Sequence, residues 1–297
     1  MLRRLLLVLG LAAATPVAAE PLKVVASFSI LDDMVRQVGG EEVSVTTLVG
    51  PDQDAHVYEP SPADARAVAG ADLVVVNGLG FEGWMDRLIR ASGTKARVVT
   101  ASARVKPISE DENHGHGHGH GGADPHAWHS ILNAMIYVDN ILSGLIQAAP
   151  LRAEVFRARA AAYREELDRL DAGVRRTFAA VPADRLKVLT SHDAFGYFAR
   201  DYRITFLAPV GFSTEAEPSA GEVARLIRQV RKERVRAVFI ENITDPRLIE
   251  QIARESGAKV GGTLYSDALS APGGPAATYV EMIRQNARQI AGALAGE

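Results

Sequence analysis

A long stretch without proline constrains this chain most. Residues 151–181 read LRAEVFRARAAAYREELDRLDAGVRRTFAAV. Apolar side chains recur in it at helical spacing, with charged residues between them: Val155, Tyr163, Leu167, Leu170, Val174 and Phe178. At 1.5 Å per residue such a helix would reach roughly 45 Å, which is longer than a single small lobe requires. We therefore predict one long rigid helix, residues 150–181, that joins two lobes.

Short apolar strands alternate with helices on both sides of this segment. Strands are predicted at Lys23–Ser29, Val43–Val49, Asp72–Asn77, Arg97–Ala101, Arg185–Thr190, Ile204–Leu207, Arg236–Ile240 and Lys259–Leu264. Helices are predicted at Ile30–Val38, Ser61–Ala69, Trp84–Ala91, Ser130–Gln147, Ala194–Arg200, Ala220–Glu233, Pro246–Ser256 and Ala276–Ala293. The alternation predicts an α/β fold of two lobes, each with a mostly parallel sheet flanked by helices.

The N-terminus has the pattern of a secretory signal peptide. Arg3 and Arg4 precede an apolar run, and small residues up to Ala19 form a cleavage site. The run is shorter than the roughly 20 residues that span a bilayer. We expect residues 1–19 to be removed and the protein to be soluble in the periplasm. The predicted organisation is then an N-terminal lobe at 20–149 with a His-rich loop at 110–123, the linking helix, and a C-terminal lobe at 182–297.

Charge and composition exclude several classes of protein. Without the two arginines of the signal peptide the chain carries 31 basic and 36 acidic residues, so it offers no electrostatic footprint for nucleic acid. It contains no cysteine, so its cores alone must hold it together. Ser191, His192 and Asp193 are adjacent and cannot form a hydrolase triad, because the imidazole must contact a serine on one nitrogen and a carboxylate on the other.

Six of the eight histidines lie within residues 110–130. They are His114, His116, His118, His120, His126 and His129. Imidazole is the commonest protein ligand for divalent transition metals, so this concentration favours a metal-binding function. The alternative is a solvated Gly/His linker without a function of its own.

Further polar residues follow predicted strands or lie in loops beyond them: His56, His126, His192, Glu241 and Asp267. Open α/β sheets bind ligands beyond the carboxyl ends of their strands. Three neutral imidazoles and one carboxylate from this set would suit a tetrahedral zinc ion in the cleft between the lobes.

Spacing does not decide between the two histidines of the DPHAWH segment. His126 and His129 are three residues apart and share a face if a helix begins at Asp124, so either or both could bind metal.

Six stretches resemble the zinc- and manganese-type solute-binding proteins of ABC transporters, most closely the zinc-specific periplasmic group. They are PDQDAHVYEP (51–60), NGLGFEGW (77–84), DPHAW (124–128), SHDAFGYFA (191–199), GFSTEAEPS (211–219) and LYSDALS (264–270). They cover nearly the whole chain after the signal peptide in the family's order. A His-rich insert before DPH is also typical of the zinc-type members.

The resemblance implies four metal ligands, His56, His126, His192 and Asp267. Manganese-type members tend to carry glutamate at the position of His192, and three imidazoles favour zinc over manganese. The sequence departs from the family after DPHAW, where His129-Ser130-Ile131 replaces Leu-Ser-Pro. His129 is therefore expected to be a nearby or surface imidazole, and it joins His114–His120 as an accessory candidate for metal.

By this resemblance the protein would be a zinc-binding component of an importer and not an enzyme. It would capture Zn²⁺, act as a monomer and deliver the ion to an inner-membrane ABC permease, with a periplasmic metallochaperone as a further partner. The alternatives are a manganese or broad divalent-metal binder and, less favoured, an exported zinc hydrolase. Asp193, Glu217 or Glu241 would orient the imidazoles, as metal-bound histidines usually require.

Overall fold

The computed structural model describes residues 20–109 and 122–295, beginning with a parallel sheet of four strands. These strands are β1 (Leu22–Phe28), β2 (Val43–Val49), β3 (Leu73–Val76) and β4 (Arg97–Thr100), in the order β2-β1-β3-β4. The helices of this N-terminal lobe are α1 (Ser29–Gly39), α2 (Pro62–Ala69), α3 (Met85–Ser92) and α4 (Ile131–Ala148). β3 is buried along its whole length, as expected of an inner strand covered on both faces.

The predicted linking helix is present as α5 (Ala153–Ala179). Seven side chains on one face are buried: Phe156, Ala160, Tyr163, Leu167, Leu170, Val174 and Phe178. The prediction for Val155 is wrong, since this residue is 46% exposed. Phe156 takes the expected place because it, and not Val155, keeps the three- and four-residue spacing with Ala160 and Tyr163.

A second four-stranded parallel sheet forms the C-terminal lobe. Its strands are β5 (Lys187–Leu189), β6 (Thr205–Leu207), β7 (Ala237–Glu241) and β8 (Lys259–Leu264), in the order β6-β5-β7-β8. Its helices are α6 (Gly196–Tyr202), α7 (Ala220–Glu233), α8 (Arg247–Ser256) and α9 (Tyr279–Ala295). The predicted fold class, two α/β lobes joined by one long helix, is confirmed.

The two lobes share one hydrophobic core. Helix α5 packs against α1 and α4 of the N-terminal lobe and against α6 and α9 of the C-terminal lobe. Buried side chains of β1, α5 and α9 belong to a single continuous cluster, and a smaller separate cluster lies around Leu226 and Ile252. Both lobes therefore pack against α5 and share a hydrophobic core with it.

Only α4 is, among the described residues, long and apolar enough to cross a membrane by length and composition, with a mean hydropathy of 1.3. Half of the helix is buried inside the fold. It lies between β4 and α5, which is typical of a core helix.

Two sequence predictions fall on residues that the structure does not describe. The signal peptide at residues 1–19 is one of them, and the repeat from His114 to His120 is the other. The described ends of the His-rich loop meet in an antiparallel bridge between Ser109 and Ala123.

Two glycines in helices provide a matched test of core packing. A Cβ on Gly144 of α4 would lie 2.4 Å from Cγ2 of Val99, whereas one on Gly173 of α5 would meet only the end of Arg176 at 4.0 Å. We expect Gly144→Ala to lower the free energy of unfolding by about 1–3 kcal/mol, because the stiff Val99 side chain must be displaced. Gly173→Ala should raise it by about 0.5–1 kcal/mol through helix propensity alone. Urea unfolding of both variants measures their free energies of unfolding. Equal changes in this free energy would contradict the close packing of Gly144 against Val99.

Candidate metal centre

Four polar side chains from separate loops meet between the lobes. His56 follows β2, His192 follows β5 and Asp267 follows β8, while His126 lies in the loop before α4. Each offers one ligand atom, and these atoms lie within 4.8 Å of one another. The structure thus brings together the set that the family resemblance implied.

The spacing of these ligand atoms suits one ion held by all four groups. Nε2 of His56 lies 3.4 Å from Nε2 of His126 and 3.2 Å from Oδ2 of Asp267. Asp267 Oδ2 is also 3.1 Å from Nε2 of His192, and its Oδ1 is 3.6 Å from Nε2 of His126. Four donors placed tetrahedrally at about 2.0–2.1 Å from an ion are separated by about 3.3 Å.

The centre is enclosed, and several of its polar atoms make no hydrogen bond. His126 and Asp267 are 0% exposed, His192 is 1% exposed and His56 is 8% exposed. His192 Nε2 and both carboxylate oxygens of Asp267 are buried without a hydrogen bond of good geometry. Buried polar atoms without partners are costly, so this centre fits a cation that accepts lone pairs from the Asp267 oxygens and from His192 Nε2 once that ring is deprotonated.

A buried carboxylate orients His126. Oδ1 of Asp124 lies 2.8 Å from Nδ1 of the His126 ring and also accepts the His126 backbone N–H at 2.9 Å. This contact fixes the ring so that Nε2 faces the centre. The sequence prediction missed Asp124, although an aspartate two residues before a histidine, across a proline, has the spacing for such a side-chain turn.

Glu241 orients His192 in the same way. Its Oε2 lies 2.6 Å from Nδ1 of His192, and its Oε1 accepts the backbone N–H groups of Ser191 and His192 at 2.7 and 3.0 Å. Among the three carboxylates predicted for this role, Glu241 is buried against a ring nitrogen of the centre, whereas Glu217 is exposed.

Burial and mutual attraction set the charges of the four groups. Burial lowers the pKa of His126 to about 3, so this imidazole is neutral near pH 7. Burial opposes protonation of His192 too, but Glu241 and Asp267 outweigh it and raise the pKa of His192 well above its usual value. Burial likewise opposes ionisation of Asp267, but His192 and His126 hold its pKa well below the ordinary range. Burial raises the pKa of Asp124 to about 8, and positive charge at the centre would favour its ionised form.

His129 lies outside the group of four. It is 0% exposed, so the expectation of a surface imidazole is wrong. Its ring packs against Phe195 with centroids 4.4 Å apart, and the Ser266 backbone is its polar neighbour. Burial lowers the pKa of His129 to about 3 and keeps the ring neutral.

Residues 24–293 match the model of the family described as zinc-uptake complex component A, periplasmic. This protein belongs to that family. Its members are solute-binding proteins and not enzymes, which agrees with the predicted class.

Curated relatives of this family member are named for different metals. The chain is 33% identical over 276 residues to the iron-binding protein YfeA of Yersinia pestis, covering 92% of this chain and 86% of YfeA. It is 33% identical over 285 residues to the manganese-binding lipoprotein MntA of Bacillus subtilis, covering 93% and 91%. It is 31% identical over 277 residues to the zinc-binding protein TroA of Treponema pallidum, covering 92% and 88%.

Solved structures of family relatives have the same two-lobe fold. The periplasmic zinc-binding protein TroA of Treponema pallidum matches with a TM-score of 0.85 at 30% identity, covering 93% of this chain and 99% of that one. A manganese-bound periplasmic metal-binding protein from Candidatus Liberibacter asiaticus matches with a TM-score of 0.82 at 29% identity, covering 93% and 100%.

A substitution at Glu241 tests whether its contact with His192 supports metal binding. Glu241→Gln keeps the shape of the side chain but removes the charge that holds His192 Nδ1–H. We expect the affinity for Zn²⁺ to fall about 10–100-fold, as is typical when a carboxylate behind a ligating histidine is lost. Competition with a chelator of known affinity measures the change.

Glu233→Gln serves as the control for this test. Glu233 ends α7 and pairs at 3.1 Å with Lys187, which begins β5 at the end of the strand opposite His192. An equal loss of affinity in both variants would contradict the role assigned to Glu241.

Proposed function

We propose that this protein captures Zn²⁺ in the cleft between its lobes and delivers it to an inner-membrane ABC permease. The enclosed set of His56, His126, His192 and Asp267 carries the proposal, with each residue supplying one ligand atom. The proposed division of the chain places residues 20–149 and 182–297 in the two lobes that supply two ligands each. The long helix at 150–181 would join them.

The preference for zinc rests on the donor set. Three imidazole nitrogens and one carboxylate oxygen are softer than a set with two carboxylates, and zinc also stands above manganese and iron(II) in intrinsic affinity for such ligands. Relatives named for iron, manganese and zinc have similar sequences, so overall similarity does not separate these metals. A manganese or broad divalent-metal binder is the alternative.

The closed set of ligands favours capture over catalysis. A catalytic zinc site keeps a position for water or substrate, whereas four protein ligands complete a tetrahedral shell. An exported zinc hydrolase is therefore not proposed.

Location and partners follow from the N-terminus and from the relatives. Relatives from streptococci are named as substrate-binding lipoproteins of manganese or iron ABC transporters. We propose that this chain is soluble in the periplasm after cleavage near Ala19, acts as a monomer and docks on such a permease. The repeat from His114 to His120 is proposed to collect zinc as an accessory segment or to accept it from a periplasmic metallochaperone.

Removing one ligand tests the proposed function. In His192→Ala the set loses one imidazole, so we expect the affinity for Zn²⁺ to fall by about 100-fold or more, beyond the usual effect of an outer carboxylate. Competition between Zn²⁺ and Mn²⁺ on the wild-type protein should favour zinc. Preference for Mn²⁺, or wild-type affinity in the variant, would refute the zinc assignment.

His129→Leu is the matched control for the ligand test. It replaces an imidazole that is equally buried but packs on Phe195 outside the group of four. The wild-type number of zinc ions and near wild-type affinity at the four-ligand centre are expected for this variant.

Proton release provides a second test. The raised pKa of His192 means that the metal-free protein holds a proton on this ring at neutral pH, and the ring must lose it to bind zinc. Positive charge at the centre would also ionise Asp124, whose pKa is about 8, so we expect about one to two protons to be released per zinc ion. Affinity should therefore fall at least roughly tenfold for each pH unit of acidification. Calorimetry in buffers of different ionisation enthalpy counts the protons. Binding without proton release would contradict the protonated state of His192.

A further inference from the structure

Asp52 forms hydrogen bonds between the loop that carries His56 and the C-terminal lobe. The Asp52 carboxylate accepts a hydrogen bond from Asn242 Nδ2 at 2.9 Å through Oδ1 and one from the Ala271 backbone N–H at 3.2 Å through Oδ2. Its own backbone N–H donates to the Leu269 carbonyl oxygen at 2.9 Å. One residue of the N-terminal lobe thus contacts two segments of the C-terminal lobe.

Both of these segments adjoin residues that form or orient the metal ligands of the C-terminal lobe, Asp267 and His192. Leu269 and Ala271 lie two and four residues after Asp267. Asn242 directly follows Glu241, which orients His192. Asp52 therefore connects the loop of His56 to the supports of both C-terminal ligands.

The backbone of Asp52 limits which residues can replace it. Asp52 has a φ of 54°, in the left-handed region that glycine adopts freely and that aspartate and asparagine adopt more readily than other L-residues. Glycine and asparagine are therefore the substitutions that keep this turn while changing the contacts across the cleft.

Asp54 also links this loop to the C-terminal lobe by hydrogen bonds. Oδ1 of Asp54 accepts the His56 backbone N–H at 2.8 Å, while Oδ2 accepts a hydrogen bond from Thr214 Oγ1 at 2.6 Å. Asp54 thus holds the His56 backbone and a C-terminal loop together. Asp54 lies only two residues before the ligand His56. Asp52 lies four residues before it, so a substitution at Asp52 disturbs the ligand less directly.

We infer that Asp52 is a positioning residue for metal binding: its bonds to Asn242 and Ala271 hold His56 at the spacing that the C-terminal ligands require. The inference rests on the proposed function. Asp52 is exposed and does not contact the centre, so it acts through the loop that carries His56. Loss of its carboxylate should leave the four ligands and the ion between them in place but allow the His56 loop to move away from the ion.

Asp52→Gly removes the carboxylate without straining the turn, because glycine adopts a φ near 54° freely. We expect zinc to dissociate from the four-ligand centre about tenfold faster than in the wild type, with the number of bound ions unchanged. Asp52→Asn keeps one acceptor oxygen and tolerates the same backbone, so its rate should be intermediate. Stopped-flow transfer of zinc from the full-length protein to a chelator measures these rates.

Asn242→Ala tests the same bond from the opposite lobe. It leaves Asp52 intact and should also release zinc faster. The Asn242 amide donates to the Ala268 carbonyl oxygen as well, at 3.2 Å, so the two substitutions have only the bond between Asp52 and Asn242 in common. Because that shared bond can be lost only once, the double variant should show less than the product of the two separate effects. Asp52→Asn replaces Asp52→Gly in this comparison if Asp52→Gly proves too unstable to measure.

Arg234→Gly is the control for the backbone change. Arg234 has a φ of 56° at the end of α7 and is exposed, and its replacement should leave the dissociation rate unchanged. Melting of the metal-free proteins separates positioning from general stability, since a purely structural role would lower the midpoint without changing the rate.

Wild-type dissociation rates in both Asp52→Gly and Asn242→Ala, with tight binding by the wild type, would overturn this inference alone. A wild-type protein that bound no zinc would overturn the proposed function and this inference with it.

Discussion

Burial of the Asp267 carboxylate is the constraint on which the rest of the structure depends. An ionised carboxylate with no exposure to water is costly unless positive charge or hydrogen-bond donors surround it. His192 supplies that charge as an imidazolium, held in turn by Glu241, and a divalent cation would supply more. The neutral imidazole of His126 and the ring of His56 converge on the same point, where they could bind such a cation.

The parallel sheets explain how residues far apart in sequence reach one place. Every strand in a parallel sheet ends at the same edge, so the loops after β2, β5 and β8 all open towards the cleft. The common core beneath α5 and α9 then holds the two edges opposite each other. Position in the fold, and not closeness in the chain, selects these ligands.

Much of this arrangement could be predicted from sequence, and the failures have physical reasons. Helical periodicity located α5, but it misplaced Val155 because one residue of phase moves a side chain by about 100° around the helix. The family motifs identified the residues that now meet, including His126. The carboxylates that orient those residues were harder to predict, because the contact between Glu241 and His192 depends on how β5 pairs with β7. Asp124 had a local signal in its spacing, whereas the burial of His129 depends on packing that no local pattern encodes.

The placement of α9 links the two lobes. This helix begins where the Tyr279 backbone N–H donates to the Asp33 carboxylate of α1, 2.9 Å away, and it then packs along α5 and β8. Its buried face, from Tyr279 to Leu294, belongs to the core shared by both lobes. Removal of α9 would therefore uncover α5 and part of α1 as well as β8, so the loss of this one helix would affect both lobes.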